Sequence, residues 1–322
     1  MKRTVLAALL LLSSACASSK SSTNDGSTIG KGIDVETMRP PEAAQVVKEF
    51  QAAYGIPPLP PPDEPVTSMA QVLDIVRQDR LSEFDEARRF ASSRMGAEAL
   101  TIRGYLELSY ADALMTAAWV LEREQRQDQT ELRQLSMARP LESGKDAQQD
   151  GARAARLQAK IADTRKVVRA LRVLSQEPLD SGADLIKQAI AQDPKSQMAY
   201  LANANYYRLR GNWLEYDRMM LYADEGQADP PVRTFLRAME AFERYVDPDR
   251  CVKLLKETLA MRPDLVRAQA DLVLVSDSID ARYAELQALK KISPTHIVVR
   301  LSGRMIEEEY ETAKELQGAF KP

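Results

Sequence analysis

From Val66 onward, apolar residues recur every three or four positions almost without interruption, the repeat of helices that bury one side. Val72, Ile75 and Val76 mark one helix, and Leu81, Phe84, Ala87 and Phe90 the next. A longer helix is predicted from about Glu98 to Glu124 on Leu100, Tyr105, Leu108, Ala113 and Ala117. Residues 126–151 are mostly Gln, Arg, Asp and Glu, broken by Pro140 and Gly144, and predict a polar helix tip or loop. Beyond it Leu157, Ile161, Thr164, Val168, Leu171 and Ser175 alternate in steps of four and three along one stripe, which needs a neighbouring helix to cover it. No segment alternates β-branched and polar residues between turn signals, so the pattern predicts an all-α fold.

Upstream the pattern thins. Residues 17–35 are Ser, Thr, Gly, Lys and Asp with almost no bulky apolar group, too little to offset the entropy of ordering, and they predict a flexible tether. Ala44, Val47, Phe50 and Tyr54 predict a short amphipathic helix from about Pro41 to Tyr54. Pro57-Pro58-Leu59-Pro60-Pro61-Pro62 and Pro65 then impose an extended polyproline segment, read as a semi-rigid spacer in preference to a ligand for another domain.

Prolines recur near the ends of the helical stretches at Pro194, Pro230, Pro263 and Pro294, separated by 36, 33 and 31 residues. Proline stops one helix and the next begins just after it, so the period is that of stacked helix pairs. The best unit is Tyr200, Ala204, Tyr207, Gly211, Tyr216, Met220 and Ala223, which resembles the tetratricopeptide repeat; Tyr216 stands where that family usually has alanine. Weaker units are Lys166, Ala170, Val173, Ile186, Ala189 and Pro194; then Phe235, Met239, Phe242, Cys251, Leu255 and Pro263; then Val266, Ala270, Val273, Leu286 and Pro294. The resemblance covers residues 163–294 and implies a TPR-like helical-hairpin solenoid, capped by helices from Ile297 to Phe320 and preceded by a helical N-terminal region and the tether.

At the start of the chain, Met1-Lys2-Arg3, the apolar run Val5 to Leu12 and Ser13-Ser14-Ala15-Cys16 resemble a bacterial lipoprotein signal. The run is too short to span a bilayer. In that family the cysteine thiol receives a diacylglycerol and the preceding peptide is removed, which implies a mature chain beginning at a lipidated Cys16. An ordinary secretory signal cut near Ala15 or Ala17 is the alternative. Ala17, where an aspartate retains such proteins at the inner membrane in the enterobacterial pattern, implies the outer membrane, with the body facing the periplasm. The divisions expected are therefore a signal over 1–15, a lipidated Ser/Pro-rich tether over 16–65, a helical region over 66–160 and the array over 161–322.

Composition narrows the chemistry. Without Lys2 and Arg3 the 44 basic side chains fall to 42 against 47 acidic, a net of −5, and the basic residues are interleaved with acids, so nucleic acid is not an expected partner. One histidine, His296, and one remaining thiol, Cys251, make no metal-ligand spacing, no disulfide and no Ser-His-Asp set, so neither metal, cofactor nor catalysis is expected. Cys251, Trp119 and Trp213 read as packing groups, His296 as a residue near a helix start, and Glu307-Glu308-Glu309 as a solvated helix face.

In the tetratricopeptide family the concave surface lined by the first helix of each pair holds an extended peptide or a helix. Carried over, this places Asn205, Arg208, Arg233, Arg237, Glu240, Arg244, Arg267 and Asp271 at such a groove. An arginine fork holds a carboxylate through two parallel hydrogen bonds, so the expected ligand is an acidic segment or a free carboxyl terminus. The competing reading is that these arginines pair with nearby Asp and Glu of the chain itself. The resemblance implies a non-catalytic docking scaffold of an envelope assembly such as a pilus or secretin, a secretion or motility complex, or outer-membrane biogenesis. A periplasmic accessory protein that binds a small molecule for a transporter, and a purely architectural spacer, are the alternatives.

Overall fold

The computed structural model of the chain describes residues 27–56, 59, 62, 65–138, 145–225 and 229–319. The signal-like leader, Cys16, residues 17–26, most of the proline run, Pro140, Gly144 and Phe320 lie outside these. The described residues form helices and no strand, as the periodicity predicts.

The elements are α1 (Pro40–Ala53), α2 (Met69–Arg77), α3 (Phe84–Ala91), α4 (Ala97–Ala138), α5 (Lys145–Gln192), α6 (Gln197–Leu209), α7 (Trp213–Glu225), α8 (Pro230–Glu243), α9 (Pro248–Met261), α10 (Val266–Val275), α11 (Ile279–Ile292) and α12 (Ile297–Ala319). Local chemistry accounts for many of the boundaries. Proline opens α1, α8 and α9, where its missing N–H costs nothing. Ser68 and Gln71 form a reciprocal cap at the start of α2, Asp247 accepts from the Arg250 N–H on α9, and Ser278 from the Ala281 N–H on α11. The four periodic prolines all fall at junctions: α5–α6, α7–α8, α9–α10 and α11–α12.

The chain divides into two compact units that do not follow its order. One comprises Leu59–Asp112 with Glu177–Pro322, the other Arg3–Pro58 with Ala113–Gln176, each in its described part. Helices α4 and α5 therefore run through both, and the expected division at residue 160 falls inside α5.

In the first unit α6 packs on α7, α8 on α9, α10 on α11 and α11 on α12, with α9 also against α10 and α6 against α8. The core includes Leu201, Tyr216, Met220, Leu236, Leu255 and Leu272. Leu108 of α4, Leu179 and Ile186 of α5 and Ala202 of α6 make a second cluster.

Two expectations are corrected. The unit read from Lys166 to Pro194 is not a helix pair, because α5 runs straight through Pro178. An internal proline costs about 3 kcal/mol. Burial of Leu179, Ala183, Ile186 and Ala189 along the same helix outweighs it, at about 1.5–3 kcal/mol for each large apolar side chain. Second, residues 27–56 are not a tether. Ile29 and Met38 are buried, and α1 packs Ala43, Ala44, Val46, Val47 and Phe50 inward, close to the helix expected.

In the second unit α4 and α5 are antiparallel, as the contact partners show: Glu122 meets Arg172, Gln125 meets the Ile161 carbonyl, Asp128 meets Lys160 and Glu131 meets Arg153. Each step up one helix is a step down the other. The segment from 126 to 151 is thus mostly helix tip.

Candidate functional site

The predicted groove residues separate into a buried group and an outer group. Arg208 ends α6, with its side chain only 2% exposed. Its Nε donates to Asn205 Oδ1 at 2.9 Å, one terminal nitrogen to Glu243 Oε1 at 2.5 Å, and the other to Asp112 Oδ2 at 3.1 Å. Arg267 of α10 donates to the other oxygen, Asp112 Oδ1, at 3.2 Å and to Asp271 Oδ2 at 3.2 Å. Asp112 of α4 is thereby held by two guanidinium groups, one on each oxygen, and links α4, α6, α8 and α10 within the first unit.

Three carboxylates face two guanidinium groups, so the network carries one surplus negative charge when all are ionised. Burial pushes the Asp271 carboxyl up to about 6 against the pull of Arg267, and raises Glu243 against that of Arg208. Burial works against both arginine charges, yet Glu243 and Asp112 hold Arg208 above its ordinary value, and Asp112 and Asp271 do the same for Arg267. Removing one partner from an ion set of this kind leaves a charge uncompensated, which ties the elements that carry it together.

Of the eight predicted residues, Arg208 and Arg267 bond to the chain's own α4 through Asp112, and Asn205 and Asp271 bond to those two arginines. The other four lie further out. Arg233 and Arg237 both donate to Asp224, at 3.1 and 2.7 Å. Arg244 donates to Asp217 at 2.8 Å and Glu240 at 3.0 Å, and lies over the Trp213 and Tyr245 rings. Each of the five arginines has an acidic partner inside the chain.

Two further arrangements were not flagged by the pattern. His296 Nε2 lies 2.7 Å from Asp79 Oδ2, while its Nδ1 accepts the Val298 N–H at 3.2 Å, which puts the ring proton on Nε2. The histidine joins the start of α12 to the turn after α2. In the second unit Asp163 Oδ1 accepts from Ser27 Oγ at 2.8 Å and the Thr28 N–H at 2.6 Å, and Oδ2 from Thr28 Oγ1 at 2.6 Å and the Tyr54 hydroxyl at 3.0 Å. Lys166 Nζ donates to the carbonyls of Ile29 and Gly30, and the Gly30 N–H to Glu49. Burial raises the Asp163 carboxyl, but the bonds from Thr28, Ser27 and Tyr54 outweigh it and hold the group below its ordinary range.

One signal would have pointed to Asp112: it is the single charged residue in the mostly apolar stretch from Leu108 to Val120. Nothing comparable marks Asp163. Cys251 is a buried core residue whose thiol burial pushes up to about 12, away from thiolate chemistry. Trp213 packs against the core, edge-on to Tyr216. Glu307, Glu308 and Glu309 are not merely solvated, since each meets a cation: Lys290, Arg304 and Arg282 respectively. The chain matches no protein-family model and no curated protein.

Proposed function

We propose that the chain is a non-catalytic docking scaffold, held to the outer membrane through a lipid on Cys16 and facing the periplasm, with α6–α12 as a TPR-like array. The reading takes α6–α7, α8–α9 and α10–α11 as three hairpins and α12 as their cap. Its docking surface is the outer part of the groove, Arg233, Arg237, Glu240 and Arg244, because the inner part is already engaged by α4.

One observation carries the proposal: a single carboxylate, Asp224, is shared by Arg233 and Arg237, with side chains 26% and 47% exposed. Two guanidinium groups offer ten N–H donors, more than the two oxygens of one carboxylate take up. An acidic segment of an envelope protein suits that surface. A small-molecule carrier needs an enclosed apolar cavity, and recovery of a transporter in the experiment below is what would point to one.

The experiment is cross-linking of the tagged chain in its own membrane fraction, with partners identified by mass spectrometry, beside Cys16→Ala and Arg233→Glu/Arg237→Glu variants. Recovery of one envelope assembly, lost in both variants, is the expected result. Unchanged recovery with the double arginine variant would remove the docking surface from consideration, and recovery of a transporter alone would favour the carrier reading.

A further inference from the structure

Among the described side chains, the last buried one on α4 is Asp128 and the first on α5 is Asp163. Beyond them the two helices pair through half-buried and exposed residues, so this level is the root of an outer arm. Glu124 stands one turn before Asp128 on the same face of α4. Its Oε1 is buried and has no hydrogen-bond partner among the described residues.

Lys160 of α5 faces both carboxyl groups. Its ammonium bonds to Asp128, Oδ2 at 2.8 Å and Oδ1 at 3.1 Å, and acts on Glu124 through its charge. The charged neighbours along the two helices are engaged elsewhere. Toward the body Glu122 pairs with Arg172 and Arg123 lies over the Trp119 ring; toward the tip Glu131 pairs with Arg153. Asp163 is taken up by Ser27, Thr28 and the Tyr54 hydroxyl, which follows α1 and feels the charge of Asp128 as well.

A carboxyl oxygen that neither water nor a donor reaches favours the neutral acid. Burial is the larger influence on Glu124 and Asp128 adds to it, while Lys160 pulls the other way; the carboxyl is pushed up from 4.5 to about 7. Glu124 therefore holds its proton at pH 6 and has lost it by pH 8. Once ionised it repels Asp128 and competes with it for Lys160, whose bond to Asp128 ties α4 to α5 at the root of the arm.

We propose that Glu124 is a proton-operated clasp: its ionisation loosens the pairing of α4 with α5 and frees the outer arm, residues 129–138 and 145–159. The sign follows from the folded group binding its proton more tightly than the open one. Below pH 4.5 the group is neutral in both states; from there the penalty on the closed arm grows to about pH 7 and is constant beyond it. The clasp is closed in acid, whereas the hold of Asp163 on the N-terminal segment fades in acid.

The test is amide hydrogen exchange of the full chain at pH 6 and pH 8, corrected for the intrinsic pH dependence of exchange and read peptide by peptide. A local readout is needed because Asp271, raised to about 6 in the first unit, contributes to the pH dependence of global unfolding. Peptides from the outer arm are expected to open about tenfold more at pH 8 than at pH 6. Glu124→Gln, neutral and nearly the same shape, is expected to abolish the step and keep the arm as closed at pH 8 as the unaltered chain is at pH 6. Asp128→Asn leaves Lys160 to Glu124 and is expected to shrink the step. A carboxyl-carbon NMR titration of the unaltered chain needs neither variant, and the Glu124 resonance is expected to have its midpoint at about 7. No step in the unaltered chain, a step that survives Glu124→Gln, an undiminished step with Asp128→Asn, or a midpoint below about 5 each overturns the proposal.

Discussion

Arg208 shows how much one buried side chain decides. It pairs with Asp112 and Glu243 and accepts orientation from Asn205, its own side chain almost wholly out of water. Arg208→Met keeps most of the volume but takes from Asp112 one of its two guanidinium partners and from Glu243 its partner, and is expected to cost about 3–5 kcal/mol in urea unfolding. Arg237→Met, removing a half-exposed partner of Asp224, is the control and is expected to cost no more than about 1 kcal/mol. Equal losses from the two would mean that the Asp112 network is hydrated in solution. The residue types of this network were legible in the sequence. Their role was not, because helical periodicity assigns a residue to a face without stating what that face meets.

At the scale of elements, α4 and α5 come unusually close in the first unit. A Cβ on Gly182 would lie 3.1 Å from the Gly104 carbonyl oxygen and 3.0 Å from Leu108 Cδ2, and one on Gly104 would lie 2.5 Å from Ile186 Cγ1. The two glycines set the helix spacing that buries Leu108, Leu179 and Ile186. Gly182→Ala improves intrinsic helix propensity, yet it is expected to destabilise the chain by about 1–3 kcal/mol through overpacking. A thermal midpoint unchanged or raised would show that the helices separate without penalty. The same contact explains why Pro178 does not end α5 while Pro194 does. A proline breaks a helix where nothing else holds the next turn in place, and Leu179 to Ala189 hold it.

For the whole molecule, the N-terminal segment matters most. A chain rich in Ser, Thr and Gly becomes ordered between 27 and 38 because its polar groups meet a buried carboxylate and a buried ammonium on α5. Charge-assisted hydrogen bonds are worth about 1.5–3 kcal/mol each. Asp163→Ala is expected to release this stretch and raise the rate of proteolytic cleavage between residues 27 and 40 by at least about tenfold at neutral pH. Because the Asp163 carboxyl titrates below its unfolded value, its contribution is complete above about pH 4 and fades as the pH falls through the folded value, so the same cleavage should also rise in acid. Cleavage unaffected by the substitution would show that α1 alone holds the segment.

The sequence by itself determined the all-helical class, the stripes on α1, α4 and α5, and the four proline-marked junctions, since each follows from periodicity and backbone chemistry within one turn or two. Only the tertiary structure decided that α5 passes through Pro178, that residues 27–56 are packed, that the chain divides into interleaved units, and that Asp112 of α4 takes up Arg208 and Arg267. These outcomes depend on partners far apart in the chain, such as Asp112 with Arg267 or Ser27 with Asp163. A carboxylate in an apolar run states that a counter-charge is needed; where that charge comes from is settled by packing.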